Sequence, residues 1–272
     1  MAIRDWVLAL ACVFGAGAAV AQSGGLQSLE TSDAGRGWEA VGRLDINGKG
    51  FCTGALIAPD LVLTAAHCLF DTRSKARVSP DSIQFMAGWR NGRASAYRDV
   101  RRAVIHPNYV FDPSVSADAV RFDIALLELQ QPIRNTTVIP FQTAPRPRKG
   151  DEIGVVSYAH DRSEAPSLQE VCSVMARQSG ILVMSCNVDF GSSGAPVFSF
   201  EDGRPQIVSV VSAKAEVEGQ KVSLGTSLQE PLELLKADLA NGGGFPQGAA
   251  PRVNRITVGG ARRETGAKFV KP

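Results

Sequence analysis

From Trp38 onward the chain is a succession of apolar runs, too short for helices and broken by turn residues. This pattern constrains the fold more than any other feature. The runs include WEAVGRLDI, FCTGALIA, LVLTAA, IQFMAGW, RRAVIHP, IALLELQ, EIGVVSYA, ILVMSC, APVFSF, QIVSVVSA and KVSLGTSL. Between them lie NGKG, APD, NGR, HPN, PRPRKG and EDGRP, rich in the residues that make tight turns. Many short strands with this punctuation predict an all-β barrel or sandwich, not alternating βαβ units. Only PLELLKADLA, Pro231 to Ala240, has good helical spacing, with Pro in its first turn and Gly242 beyond its end. The Pro-rich, basic stretch PFQTAPRPRKG, Pro140 to Gly150, reads as the connection between two halves.

The two ends differ from this body. MAIRDWVLALACVFGAGAAVAQ carries Arg4 near its start, then an uncharged apolar run from Trp6 to Val20, then small residues at Ala19 and Ala21. It predicts a secretory signal over residues 1–21, cleaved before Gln22, and export to the periplasm or the medium. The run is shorter than the roughly 20 apolar residues of a spanning helix, so stable membrane insertion is not expected. Cys12 after Leu10-Ala11 echoes a lipoprotein site, but the apolar run before it is too short. Residues 22–37 read as an N-terminal arm or short propeptide. Residues 241–272 are Gly-rich and basic with few large apolar side chains, the composition of a flexible tail.

The net charge of +2 creates no strong field toward nucleic acid or an anionic membrane. Without the signal four cysteines remain, Cys52, Cys68, Cys172 and Cys186. An even count in an exported chain predicts two disulfides; three pairings are open, and the two sequence-local pairs are the simplest. A zinc site built from the cysteines and His67 is the competing reading, but no C-x-x-C spacing is present, and no metal is expected. No cofactor signature is found: GGGFPQG lacks the Lys and Ser/Thr of a phosphate loop.

Chemistry concentrates in three places. Of the three histidines, His67 in LVLTAAHCLF stands just after an apolar strand and beside Cys68, a rigid mount for a base. His106 and His160 read as ordinary strand-end residues. Asp123 in VRFDIALLEL directly precedes a core run, where an ionised side chain needs hydrogen-bond partners, and a histidine N–H is one. In DFGSSGAPVF, Gly191 can present its N–H from a conformation forbidden to other residues. Two backbone N–H groups aimed at a developing oxyanion require the order Gly, any residue, Ser, Gly. Counted so, Ser193 is the nucleophile, Ser192 a support residue, and Gly191 and Ser193 supply the oxyanion donors.

TAAHC, FDIALL and GSSGAP, in this order, resemble the His, Asp and Ser motifs of the chymotrypsin-like serine proteases, and bacterial secreted members in particular. The resemblance runs from about Trp38 to Ala240. It implies two six-stranded antiparallel β-barrels packed together, about residues 38–139 and 150–230, followed by a short C-terminal helix. It also implies a catalytic triad of His67, Asp123 and Ser193 in the cleft between the barrels, and disulfides Cys52–Cys68 and Cys172–Cys186. A monomer that hydrolyses peptide bonds in protein or peptide substrates through an acyl-enzyme is expected. The alternative is a pseudoprotease that keeps the fold for binding alone.

Two departures from the family pattern bear on function. Many members carry Asp before the nucleophile, where it pairs with a newly cut N-terminus. Ser192 has no charge for that pair, so the oxyanion loop is expected to be held by uncharged hydrogen bonds. By resemblance the primary pocket has Asn187 at its base, with Ser212-Ala213-Lys214 as one extended wall. Asn187 does not support a preference for Arg or Lys. Lys214 either reaches into the pocket and favours an acidic side chain or faces solvent. Val188 and Val211 stand where the glutamyl enzymes hold their glutamate with Ser or Thr and His, which argues against a simple glutamyl preference.

Overall fold

The strand-length runs fold into two closed, six-stranded antiparallel β-barrels. The computed structural model describes residues 25–112, 116–201, 203–217 and 219–246. The expected signal peptide with Cys12, and the tail beyond residue 246, lie outside the described residues.

A short strand, β1 (Gln27–Ser28), precedes the first barrel. That barrel consists of β2 (Val41–Ile46), β3 (Gly50–Ala58), β4 (Leu61–Thr64), β5 (Ile83–Ala87), β6 (Ala96–Ile105) and β7 (Ala125–Leu129). Its strands run in the order β6-β5-β2-β3-β4-β7, and β7 pairs back onto β6 to close it. A one-turn helix, α1 (Ala117–Arg121), capped by the Ser116 hydroxyl, interrupts the path from β6 to β7. A two-residue strand, β8 (Gln142–Thr143), lies in the connection to the second barrel.

The second barrel is built from β9 (Glu152–Ala159), β10 (Arg162–Gln178), β11 (Ile181–Met184), β12 (Pro196–Ser199), β13 (Gln206–Val217) and β14 (Gln220–Ser227). The order is β10-β11-β14-β13-β12-β9, with β9 closing onto β10. The helix expected at 231–240 is α2 (Gln229–Ala240), two residues longer at its start. It buries Leu232, Leu235 and Leu239 at the i, i+3, i+7 spacing of one helical face. No helix among the described residues is long and apolar enough to cross a membrane.

Both barrels have cores of branched aliphatics from strands that alternate inward. Between them lies an aromatic cluster in which Trp38, Phe141 and Phe198 meet at ring-centroid distances of 4.8–5.9 Å. Such contacts add dispersion and quadrupole attraction to area burial, and here they set the relative position of the barrels and hence the cleft.

The folded unit reaches beyond the limits read from the sequence. The arm contributes β1, which pairs antiparallel with β10, and Leu29 beside it is buried. At the other end β15 (Phe245–Pro246) pairs with β6, so the first residues past α2 are part of the sheet. Sheet edges leave N–H and C=O groups without partners, and even a two-residue strand satisfies some of them. Composition could not reveal this, because such backbone pairing asks little of the side chains.

Candidate active site

A cleft of about 1320 Å³ runs between the barrels, and His67, Asp123 and Ser193 all line it. His67 sits on a 3-10 turn, Ala66–Leu69, at the exit of β4. The disulfide Cys52–Cys68 ties this turn to β3. The sulfurs of Cys52 and Cys68 lie near the His67 ring but are bonded to each other, so they offer no thiolate to a metal. The second disulfide is Cys172–Cys186, which ties β10 to the segment leading to Ser193. Both pairings are those the family resemblance implied.

Asp123 follows α1 and is 2% exposed. Its carboxylate accepts three hydrogen bonds. The His67 ring donates from Nδ1 to Oδ2 at 2.6 Å, the His67 backbone N–H donates to Oδ1 at 2.8 Å, and the Ser212 hydroxyl donates to Oδ2 at 2.5 Å. The expected partner of this buried acid is therefore present, with two more that sequence reasoning did not supply. Burial of the His67 ring pushes its pKa down, while the Asp123 charge and hydrogen bond push it up. The net direction is up from the ordinary 6.5. With Nδ1 committed to Asp123, Nε2 of the neutral ring is left as the acceptor on the cleft side.

Ser212 owes its orientation to a β-bulge. The β13–β14 register pairs Val211 with Gly225 and Ala213 with Leu224, so Ser212 is the extra residue. A bulge re-aims a side chain, and here the hydroxyl crosses from the second barrel to Asp123 of the first. Ser212 lines the cleft as expected of a substrate-binding residue, but its side chain is spent on the acid. A further link comes from Thr226, whose buried hydroxyl reaches the Val120 carbonyl at 2.6 Å and the Asp123 carbonyl at 3.2 Å.

Backbone geometry shapes the loop that carries Ser193. Gly191 has φ +98° and Gly194 φ +77°, both in the region that side chains disfavour. A Cβ on Gly191 would strike the Phe51 ring, and one on Gly194 would strike Thr64 and the Thr53 carbonyl. Among the described residues the N–H groups of Gly191 and Ser193 donate to no protein acceptor, which leaves both free for an incoming oxygen. The loop is clamped from the first barrel by Thr53. Its hydroxyl donates to the Gly191 carbonyl at 2.9 Å and accepts from the Tyr158 N–H at 3.1 Å, and its N–H donates to the Ser193 carbonyl at 2.9 Å. Ser193 and His67 form no hydrogen bond with each other. Catalytic contacts of this kind are often long or poorly aligned in free enzymes and tighten with substrate.

Other expectations need correction. Asn187 is exposed and does not line the cleft, so it forms no pocket base. Cys186 is buried and fixed by its disulfide in the segment after β11, and the Asn187 N–H is held by the Gln169 side chain at 2.7 Å, which leaves the Asn187 side chain toward solvent. Val188 and Val211 line the cleft instead. Lys214 stands half-exposed at the rim, paired with Asp189 at 2.8 Å and lying 4.1 Å from the Phe190 ring centroid. That hydrogen bond, the Phe190 N–H and the Lys214 and Arg162 charges hold the Asp189 carboxyl below its ordinary range. Ser192 is fully buried as a support residue, but the bonds that hold it are not all uncharged, because the Arg162 guanidinium contacts its Oγ at 3.4 Å. His160, read as an ordinary strand-end residue, lines the cleft and stacks on Phe51 at 5.3 Å. His106 is structural: burial and then Arg121 push its pKa down, and its ring stacks on Phe122.

Two closed antiparallel barrels with a cleft between them define the class of double-barrel β proteins. Within it, the Trypsin family profile matches residues 30–227, and the chain belongs to that family of serine proteases. It is 27% identical over 161 residues to the glutamyl endopeptidase of Bacillus licheniformis, a match covering 57% of this chain and 47% of that protein. It spans about half the length, or less, of the curated relatives it matches. Among solved structures, a Glu endopeptidase superposes with a TM-score of 0.64 at 19% identity, covering 80% of this chain and 98% of the other. A scabies mite inactivated protease paralogue superposes with a TM-score of 0.62 at 14% identity, covering 83% and 99%. At these identities the structural likeness is one of fold.

Proposed function

We propose that the protein is an exported serine endopeptidase that works through His67, Asp123 and Ser193. The observation that carries this reading is the Asp123 carboxylate, buried and bonded to the His67 ring, in the cleft that Ser193 also lines. Asp123 fixes the tautomer, so His67 Nε2 takes the proton as Ser193 Oγ attacks the peptide carbonyl. The imidazolium that forms is stabilised by Asp123 and returns the proton to the leaving amine. The free N–H groups of Gly191 and Ser193 receive the oxyanion. Water then cleaves the acyl-enzyme by the same proton route. Two disulfides fit an oxidising compartment, which supports export.

For the residue preceding the cleaved bond, an uncharged apolar side chain fits best. Val188 and Val211 supply apolar walls. The two rim charges, Lys214 and Asp189, already neutralise each other. An incoming charge of either sign would meet a like charge beside its opposite partner at this exposed rim, so neither gains a net partner there.

The test is labelling by a fluorophosphonate, followed by peptide mapping of the modified residue. Modification of Ser193 that requires His67, together with peptide hydrolysis, supports the reading. The likeness of fold to an inactivated protease paralogue motivates a second reading, a binding module without turnover. An intact cleft that takes no label would replace the first with the second.

A further inference from the structure

Arg162 is the first residue of β10, at the end of the two-residue turn that joins β9 to β10. Its side chain is only 14% exposed. Nη2 donates to the Ser157 hydroxyl at 3.2 Å and to the Ser192 hydroxyl at 3.4 Å, and Nη1 pairs with Asp161 at 3.1 Å. Nε is buried with no hydrogen-bond partner among the described residues. Keeping a guanidinium there costs desolvation that these bonds only partly offset. A charge held at such cost calls for a role beyond packing.

The target of the charge is the support of the oxyanion loop. Ser192 Oγ donates its one proton toward the Tyr158 carbonyl at 3.1 Å, with Ser157 Oγ also near at 3.2 Å. That leaves its two lone pairs, one for the Asp189 N–H at 3.3 Å and one for Arg162. The Arg162 charge also acts on the Asp189 carboxylate, whose Oδ1 accepts the Phe190 N–H at 2.8 Å and Lys214. The same turn holds the loop a second time, through the His160 N–H to the Phe190 carbonyl at 2.8 Å. Residues 189–193 are thus pinned from behind by one hairpin, at the point where the peptides of Gly191 and Ser193 must face the cleft.

We propose that Arg162 is a positioning residue for the oxyanion site: an internal cation that fixes the Gly191 and Ser193 N–H groups in their donating orientation through Ser192 and Asp189. This rests on the serine endopeptidase reading. It implies that the loop is held in its donating form by a charge carried within the chain.

The experiment compares wild type with R162M, R162Q, R162K and R162A. Readouts are kcat, KM, and the affinity for a peptidyl boronate, which forms the tetrahedral adduct, against a product peptide, which does not. Loss of the charge in R162M is expected to lower kcat by about 10- to 100-fold with KM little changed, and to weaken the boronate by a similar factor while sparing the product peptide. Free guanidinium at non-denaturing concentration is expected to restore part of the R162A activity, where urea at equal concentration does not. Should R162M fail to fold, R162Q carries the same test, because it removes the charge while keeping a hydrogen-bond donor, and R162K, which keeps the charge, is expected to retain most of kcat. An unchanged kcat, an equal loss of boronate and product-peptide affinity, or no guanidinium rescue would overturn the proposal. A wild-type protein that takes no fluorophosphonate would instead remove the endopeptidase reading.

Discussion

The Thr53 hydroxyl of the first barrel donates to the Gly191 carbonyl of the second at 2.9 Å, and through this bond one barrel holds the other's Ser193 loop. Thr53→Val keeps the shape and removes the hydroxyl. It leaves the Gly191 carbonyl and the Tyr158 N–H without a partner in a buried setting. Unsatisfied buried groups cost about 1–3 kcal/mol each, so a loss of about 2–6 kcal/mol in unfolding free energy is expected from denaturant titration. The kcat is expected to fall about tenfold while substrate binding holds, since misplaced oxyanion donors act on the transition state.

The two adjacent serines are expected to separate by function. Ser193→Ala is expected to abolish both fluorophosphonate labelling and peptide hydrolysis. Ser192→Ala removes a buried hydroxyl that joins Asp189, Tyr158 and Arg162. It is expected to cost about 1–3 kcal/mol of stability and to slow labelling without preventing it. Labelling that survives Ser193→Ala and disappears with Ser192→Ala would reverse the assignment.

The pH dependence follows from the His67–Asp123 pair. His67 must be neutral to accept a proton, and its pKa is raised above 6.5. The ascending limb of kcat/KM against pH is therefore expected to have its midpoint above 6.5. The pair's contribution to stability runs the other way: it is fully present below the unfolded value and is lost as pH rises through the folded value. Asp123→Asn keeps the site's shape but removes the charge and favours the wrong tautomer. A fall in kcat of about ten-thousand-fold is expected, the magnitude known for this change in a Ser-His-Asp triad. A midpoint at or below 6.5 in wild type would contradict the arrangement.

Specificity at the cleaved bond is testable on a peptide library. Wild type is expected to prefer an apolar residue before the scissile bond, because Lys214 and Asp189 offset each other. Lys214→Ala frees Asp189 and is expected to raise the relative rate for basic residues. Asp189→Asn frees Lys214 and is expected to raise it for acidic ones. A rim pair this exposed is worth at most about 1 kcal/mol, so each shift should be several-fold, not absolute. Profiles that do not move in opposite directions would remove the pair from the specificity argument.

The motifs themselves carried much of the site. His67 beside a cysteine, Asp123 against a core run, and the Gly-Ser-Ser-Gly order are local chemical requirements, so they were visible as strings of letters. Turn residues between strand-length runs likewise announced an all-β fold. What stayed hidden were contacts between residues far apart in the chain. Thr53 clamps a loop 138 residues away, and Ser212 reaches an acid 89 residues away. Neither residue has an unusual local context. Ser212 is turned by a bulge, which depends on how β13 registers against β14. Asn187 was misplaced because a position counted back from the nucleophile says nothing of how the Cys172–Cys186 disulfide and the Gln169 side chain direct the irregular segment after β11.

The sequence by itself determined the fold class, the cysteine pairs simplest to form, and the three residues proposed for acyl transfer. Those depend on side-chain chemistry and spacing, which the chain carries locally. The tertiary structure alone decided which groups hold those residues in place: Thr53 and Ser212 across the barrel interface, Arg162 behind the loop, and Asp189 against Lys214. The bonds of Thr53 and Ser212 form only when two barrels pack at a fixed separation, set by the summed burial of Trp38, Phe141, Phe198 and their neighbours, and those of Arg162 and Asp189 only when the second barrel closes; no short stretch of the chain contains either property.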